Sequence, residues 1–91
     1  MNVDLNASVS RKTTYVIQKL RASPTSRFCA LGRFRADSIE YSDFDEAVED
    51  MNELMSEQDH DNPRWLSMRV MSYEVQTSII IAAENNHPEW A

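Results

Sequence analysis

The 91-residue chain predicts an α+β domain with the element order β-β-α-β, three strands and one helix. Three observations carry that expectation. Residues 13–20 (Thr-Thr-Tyr-Val-Ile-Gln-Lys-Leu) are dense in β-branched and aromatic side chains, which suit a pleated surface. Phe44, Ala47, Val48, Met51, Leu54 and Met55 recur at the 3.6-residue helical period. Residues 65–81 return to β-type composition.

Each element follows from its local chemistry. Residues 1–11 place apolar side chains at odd positions among Asn and Ser, a pattern that suits either a short edge strand or a flexible tail. After the first strand, Arg21–Ser26 is turn-forming, with Pro24 lacking an amide donor. Arg27–Arg35 then alternates as a second strand. Phe28, Ala30, Gly32 and Phe34 fall on one face, expected toward the helix, and the short link makes an antiparallel hairpin. Gly32, the single glycine, marks a bulge or a close backbone approach. Asp43 is an N-cap and Glu46 completes a capping box. Ser56–Asn62 ends the helix ahead of Pro63.

From Trp65 to Ile81 the apolar parity switches near Ser72 with no Gly or Pro nearby. One long bent strand is therefore expected in preference to a hairpin. Glu84–Ala91 reads as an irregular tail, so residues 1–11 and 84–91 flank one domain spanning 1–91. The three strands form an antiparallel or mixed sheet of order 2-1-3 with the acidic amphipathic helix on one face. The other face carries some of Val16, Leu20, Cys29, Leu31, Tyr73 and Val75, and is covered by the termini or by a partner.

Charge is segregated. The net charge is −6, from 9 Lys+Arg and 15 Asp+Glu. Residues 1–36 carry +6, whereas residues 37–63 hold eleven carboxylates and no Lys or Arg. Such a block is either a solvated helix face or a surface aimed at a basic partner.

Constellations that support catalysis are missing. There is no glycine-rich phosphate loop, nucleophile elbow or Cys–His pair, so an enzyme is not expected. One cysteine excludes an intramolecular disulfide, and Cys29 between Phe28 and Ala30 reads as buried and structural. His60, flanked by Asp59 and Asp61, lacks a second ligand at helical spacing, so no metal or other cofactor is expected. His87 is expected to be exposed. Arg27, Arg33 and Arg35 interleave with Phe28 and Phe34 in a manner that suits single-stranded nucleic acid. The helix-facing parity of the rings and the negative net charge argue against direct binding. Trp65 is expected in the core; Trp90 is either an interface anchor or part of the tail. No apolar run reaches bilayer length and the N-terminus lacks a secretory pattern, so a cytoplasmic protein is expected.

The plan, with Asp43-Phe44-Asp45-Glu46-Ala47 opening an acidic helix and Trp65-Leu66-Ser67-Met68-Arg69-Val70 following it, resembles small acidic bacteriophage-encoded inhibitors of host proteins, such as anti-CRISPR proteins and phage inhibitors of RNA polymerase. The resemblance is one of size, charge and plan across residues 13–81. It implies a non-catalytic blocker acting in the bacterial cytoplasm on a host protein with a basic nucleic-acid-binding groove. The residues expected to make that contact are Asp45, Glu46, Glu49, Asp50, Glu53, Glu57, Asp59 and Asp61. The alternative is a self-assembling module, such as a homodimer, joined through the open sheet face or an edge strand.

Overall fold

A computed structural model describes residues 13–26, 28–74 and 79–90. Strands β1 (Thr13–Ala22) and β2 (Ala30–Tyr41) are followed by helix α1 (Phe44–Glu57), then by β3 (Trp65–Glu74) and β4 (Ile79–Asn86). All neighbouring strands pair antiparallel, in the order β2-β1-β3-β4. The expected α+β class and the 2-1-3 arrangement are present, extended by a fourth strand. The edge strand or tail expected at residues 1–11 lies outside the described residues.

The single bent strand expected over 65–81 is two strands, β3 and β4, paired from Ser67↔Asn86 to Tyr73↔Ile79. The parity switch marks a reversal rather than a bend. Residues 75–78 link the strands, and a link of that length does not demand the Asn-Gly signal of two-residue turns. The tail expected from Glu84 is corrected for the same reason. Glu84, Asn85 and Asn86 pair with Arg69, Met68 and Ser67. His87 N–H then donates to the Leu66 carbonyl at 2.7 Å.

Helix α1 begins where its cap predicts. The Asp43 carboxylate accepts from the Asp45 N–H at 3.0 Å. Ala47, Met51 and Met55 are buried against Ile17, Tyr41, Met68 and Val70, while Phe44 and Val48 pack at the margin. Burial of Met51 and Met55 stabilises the fold by about 1.5–3 kcal/mol each. Leu54, at the edge of the predicted stripe, is exposed.

A second, smaller core lies on the opposite face. Leu20, Ala22 and Leu66 are buried there, with Phe28, Phe34 and Trp90 against them. A bulge makes this possible. Leu20 pairs with Ser67 but Arg21 pairs with Trp65, so Leu66 is the extra residue. Strict alternation would leave Leu66 on the helix face with Met68; the bulge turns it across the sheet. Trp90 is half-buried against this core, and the face expected to be open is partly covered.

Strand β2 begins at Ala30, later than expected, because Ser23, Ser26 and Cys29 are tied together by backbone hydrogen bonds ahead of it. Ser23 N–H donates to the Cys29 carbonyl at 2.7 Å, and Cys29 N–H to the Ser26 carbonyl at 3.1 Å. Phe28 sits in this loop with φ 63°. That left-handed turn sends its ring to the second core rather than to the helix, and leaves Cys29 exposed rather than buried. Phe34 also packs away from the helix. Gly32 (φ 79°) lies within a register shift, as a bulge glycine should, and nothing crowds the position of an added Cβ.

Candidate functional site

The eight carboxylates named from the sequence do not share one environment. Asp45, Glu46, Glu49, Glu53 and Glu57 are exposed on the solvent side of α1. Asp50 is half-buried and accepts a hydrogen bond from the Tyr41 hydroxyl at 2.8 Å. It therefore ties the helix to the end of β2. Asp59 accepts from the Asp61 N–H at 2.9 Å, and its carbonyl accepts from the Asn62 N–H at 3.3 Å, which closes a turn after the helix. No basic residue lies in the last turn of α1. Among the described residues the one ion pair is Lys19–Asp37, at 3.0 Å. Among the described residues the exposed helix carboxylates thus form no ion pair.

The Tyr41–Asp50 bond has a titration consequence. Burial, then the hydrogen bond to Asp50 and its negative charge, pushes the Tyr41 hydroxyl up from 10.0 to about 12. The folded state holds this proton more tightly than the unfolded chain. Its stabilisation is therefore complete below pH 10 and is lost as pH rises from about 10 to about 12. Urea unfolding between pH 9 and pH 12 is expected to show a steeper loss of stability for the parent than for Tyr41→Phe. Parallel curves would remove the coupling.

A second constellation lies on the helix-side face of β1 and β2, and sequence periodicity does not reveal it. Lys19, Arg21, Arg33 and Arg35 line a cleft of about 570 Å3 together with Leu31, Asp37 and Trp65. Lys19 and Arg35 are direct cross-strand partners, as are Arg21 and Leu31. Like charges directly opposite on a sheet destabilise it. The Trp65 ring has the Lys19 ammonium 5.4 Å and the Arg64 guanidinium 5.3 Å from its centroid. The signal available beforehand was the run of arginines in β2; the register that gathers them was not.

Arg69 takes no part in this cleft. Its guanidinium lies 3.8 Å from the Phe34 ring centroid and its Nε donates to Gln18 at 3.0 Å. Phe34 is therefore covered by a cation of the chain itself, unlike a base-stacking platform.

His87, expected to be exposed, is buried. Its Nε2 lies 2.8 Å from the His60 carbonyl, and its Nδ1 accepts from the Glu89 N–H at 3.1 Å. With Nδ1 accepting, the first contact is a donated Nε2–H. It packs beside Phe28 and His60, with centroids at 5.1 and 5.7 Å. This arrangement anchors the C-terminal segment. Among the described residues no group of three or more His, Cys, Asp and Glu is placed to hold a metal ion, and no helix is long and apolar enough to cross a membrane.

On the outer edge of the sheet, Ile79, Ile80 and Ile81 of β4 are 57%, 60% and 49% exposed. Comparisons with protein-family models, with curated proteins and with solved structures found no match.

Proposed function

We propose that the chain is a non-enzymatic protein-binding inhibitor. In this reading the acidic face of α1 occupies a basic, nucleic-acid-binding groove on a larger protein of the bacterial cytoplasm, in the manner of phage-encoded blockers. The observation that carries the reading is the helix's uncompensated charge. Six carboxylates fall between Asp45 and Glu57 with no cation among them. At a rise of 1.5 Å per residue, the five of them that are exposed give about one negative charge per 4 Å of helix axis. One strand of B-DNA presents about one per 3.4 Å. A groove built for phosphates would meet a similar charge density on a rigid rod. Asp50 serves as a brace to Tyr41, so the contact surface is Asp45, Glu46, Glu49, Glu53 and Glu57, with Asp59 and Asp61 at its end.

The test is capture from bacterial lysate at low and high salt, with the parent and with a Glu46→Lys/Glu49→Lys/Glu53→Lys variant. The parent is expected to retain a nucleic-acid-binding protein that is released as salt rises, since such contacts are screened within about 10 Å at 0.1 M. The variant is expected to lose it while keeping its thermal transition. Unchanged capture by the variant refutes the reading.

A second reading, self-assembly, is favoured by the exposed Ile79–Ile81 on an edge strand, where unpaired backbone groups and apolar side chains invite strand addition. The open-face version of that idea has less apolar surface to use, because Leu66 and Trp90 cover part of that face. Light scattering separates it from the first: a concentration-dependent dimer abolished by Ile80→Lys supports it, and a strict monomer ends it.

A further inference from the structure

We propose that the cleft between β1 and β2 binds a small phosphorylated ligand of nucleotide size. Its phosphates would be held by Arg21, Arg33 and Arg35, and its remaining body would lie against Trp65 and Leu31. This inference is independent of the acidic helix face.

Four cations line the cleft, and one carboxylate, Asp37, is already committed to Lys19 at 3.0 Å. Arg21, Arg33 and Arg35 are exposed and form no ion pair among the described residues. Gathering them works against the fold, because Lys19 and Arg35 are opposed across the strands. A local electrostatic conflict of this kind is expected where a ligand relieves it.

The backbone provides the room. Between Lys19↔Arg35 and Arg21↔Leu31, three β2 residues span a single β1 residue. Gly32, at the start of that excursion, adopts φ 79° and leaves open space where a Cβ would stand. Arg33 and Arg35, two residues apart on β2, both line the cleft and are exposed, and both guanidinium forks are suited to paired hydrogen bonding with phosphate oxygens.

Size selects the ligand class. About 570 Å3 lies within the roughly 300–1,000 Å3 of small-molecule sites. A compact space of that volume is roughly 10 Å across, room for a ligand of nucleotide size. A long polyanion would meet the repulsion of the chain's net charge of −6, which a short ligand largely escapes.

The experiment is a low-salt NMR titration of the full chain with magnesium-free ATP and, separately, with inorganic triphosphate. The Trp65 indole and the backbone amides of Arg33 and Arg35 are expected to shift saturably with either probe. Equal affinities would assign free polyphosphate as the source, and tighter ATP binding would assign a nucleotide. The Arg33→Ala/Arg35→Ala variant is expected to bind about tenfold or more weakly. Its melting temperature should be unchanged or raised, because the Lys19–Arg35 repulsion is gone. Absence of saturation at millimolar probe, or shifts untouched by the double variant, overturns the proposal. So does saturation of these residues only by a single-stranded oligonucleotide or an acidic peptide. If the double variant fails to fold, Trp65→Phe with Arg21→Gln provides the same comparison from the other wall.

Discussion

Leu66→Ala is expected to lower the free energy of unfolding by about 3 kcal/mol, within the range of about 2–5 kcal/mol for removing a buried leucine side chain. Leu66 is fully buried, and it is the bulged residue that carries β3 packing onto the face away from α1. Its loss leaves Leu20 and Ala22 facing a void under Phe28, Phe34 and Trp90. For a domain whose total stability is about 5–15 kcal/mol, that is a large fraction. Urea unfolding measures the loss, and tryptophan emission should shift to the red as Trp90 becomes solvated. A loss below about 1 kcal/mol would mean the second cluster is surface rather than core. The result also bears on assembly: with this cluster loosened, the face becomes an exposed apolar patch and the variant should associate.

Gln58→Ala is expected to cost about 2 kcal/mol, because one side chain satisfies three backbone groups of the connection into β3. Gln58 Nε2 donates to the Trp65 carbonyl at 2.7 Å, while Oε1 accepts from Trp65 N–H at 2.9 Å and Arg64 N–H at 3.1 Å. The helix lacks a glycine cap at this end, and Gln58, in extended conformation, takes that role with its amide. Truncation removes bonds worth about 1 kcal/mol each and leaves half-buried donors to find water. Gln58→Glu keeps both acceptor bonds and loses the donor, so it should fall between the parent and Gln58→Ala. Hydrogen exchange at the Arg64 and Trp65 amides is the local readout. Because Trp65 forms a wall of the basic cleft, Gln58→Ala should also weaken ATP binding although Gln58 does not line the cleft. Unchanged exchange at Trp65 would show that the connection is held by its strand pairing alone.

Features whose cause is local were legible in advance. The α1 cap at Asp43, the Ala47–Met51–Met55 stripe and the acidic outer face all follow from side chains within one or two turns of each other. Features that depend on register were not. Leu66 and Phe28 carry the side-chain types expected of a core, but a bulge and a left-handed residue choose which core. His87 and Trp90 have too little apolar sequence around them to announce burial. They acquire it because β4 returns along β3 and delivers the chain to the Leu66 carbonyl. The candidate sites divide in the same way. The acidic face is contiguous in sequence, whereas the basic cleft draws on β1, β2 and Trp65, residues up to 46 positions apart from Lys19 to Trp65.

The amino-acid order alone thus determined the helix, its polarity, the α+β class and the separation of charge, since each arises from spacings of a few residues that the backbone enforces without distant help. Tertiary structure alone decided the fourth strand, the second core and the gathering of like charges between β1 and β2. Those depend on which residues stand opposite one another across a sheet, and a shift of one position moves a side chain to the other face.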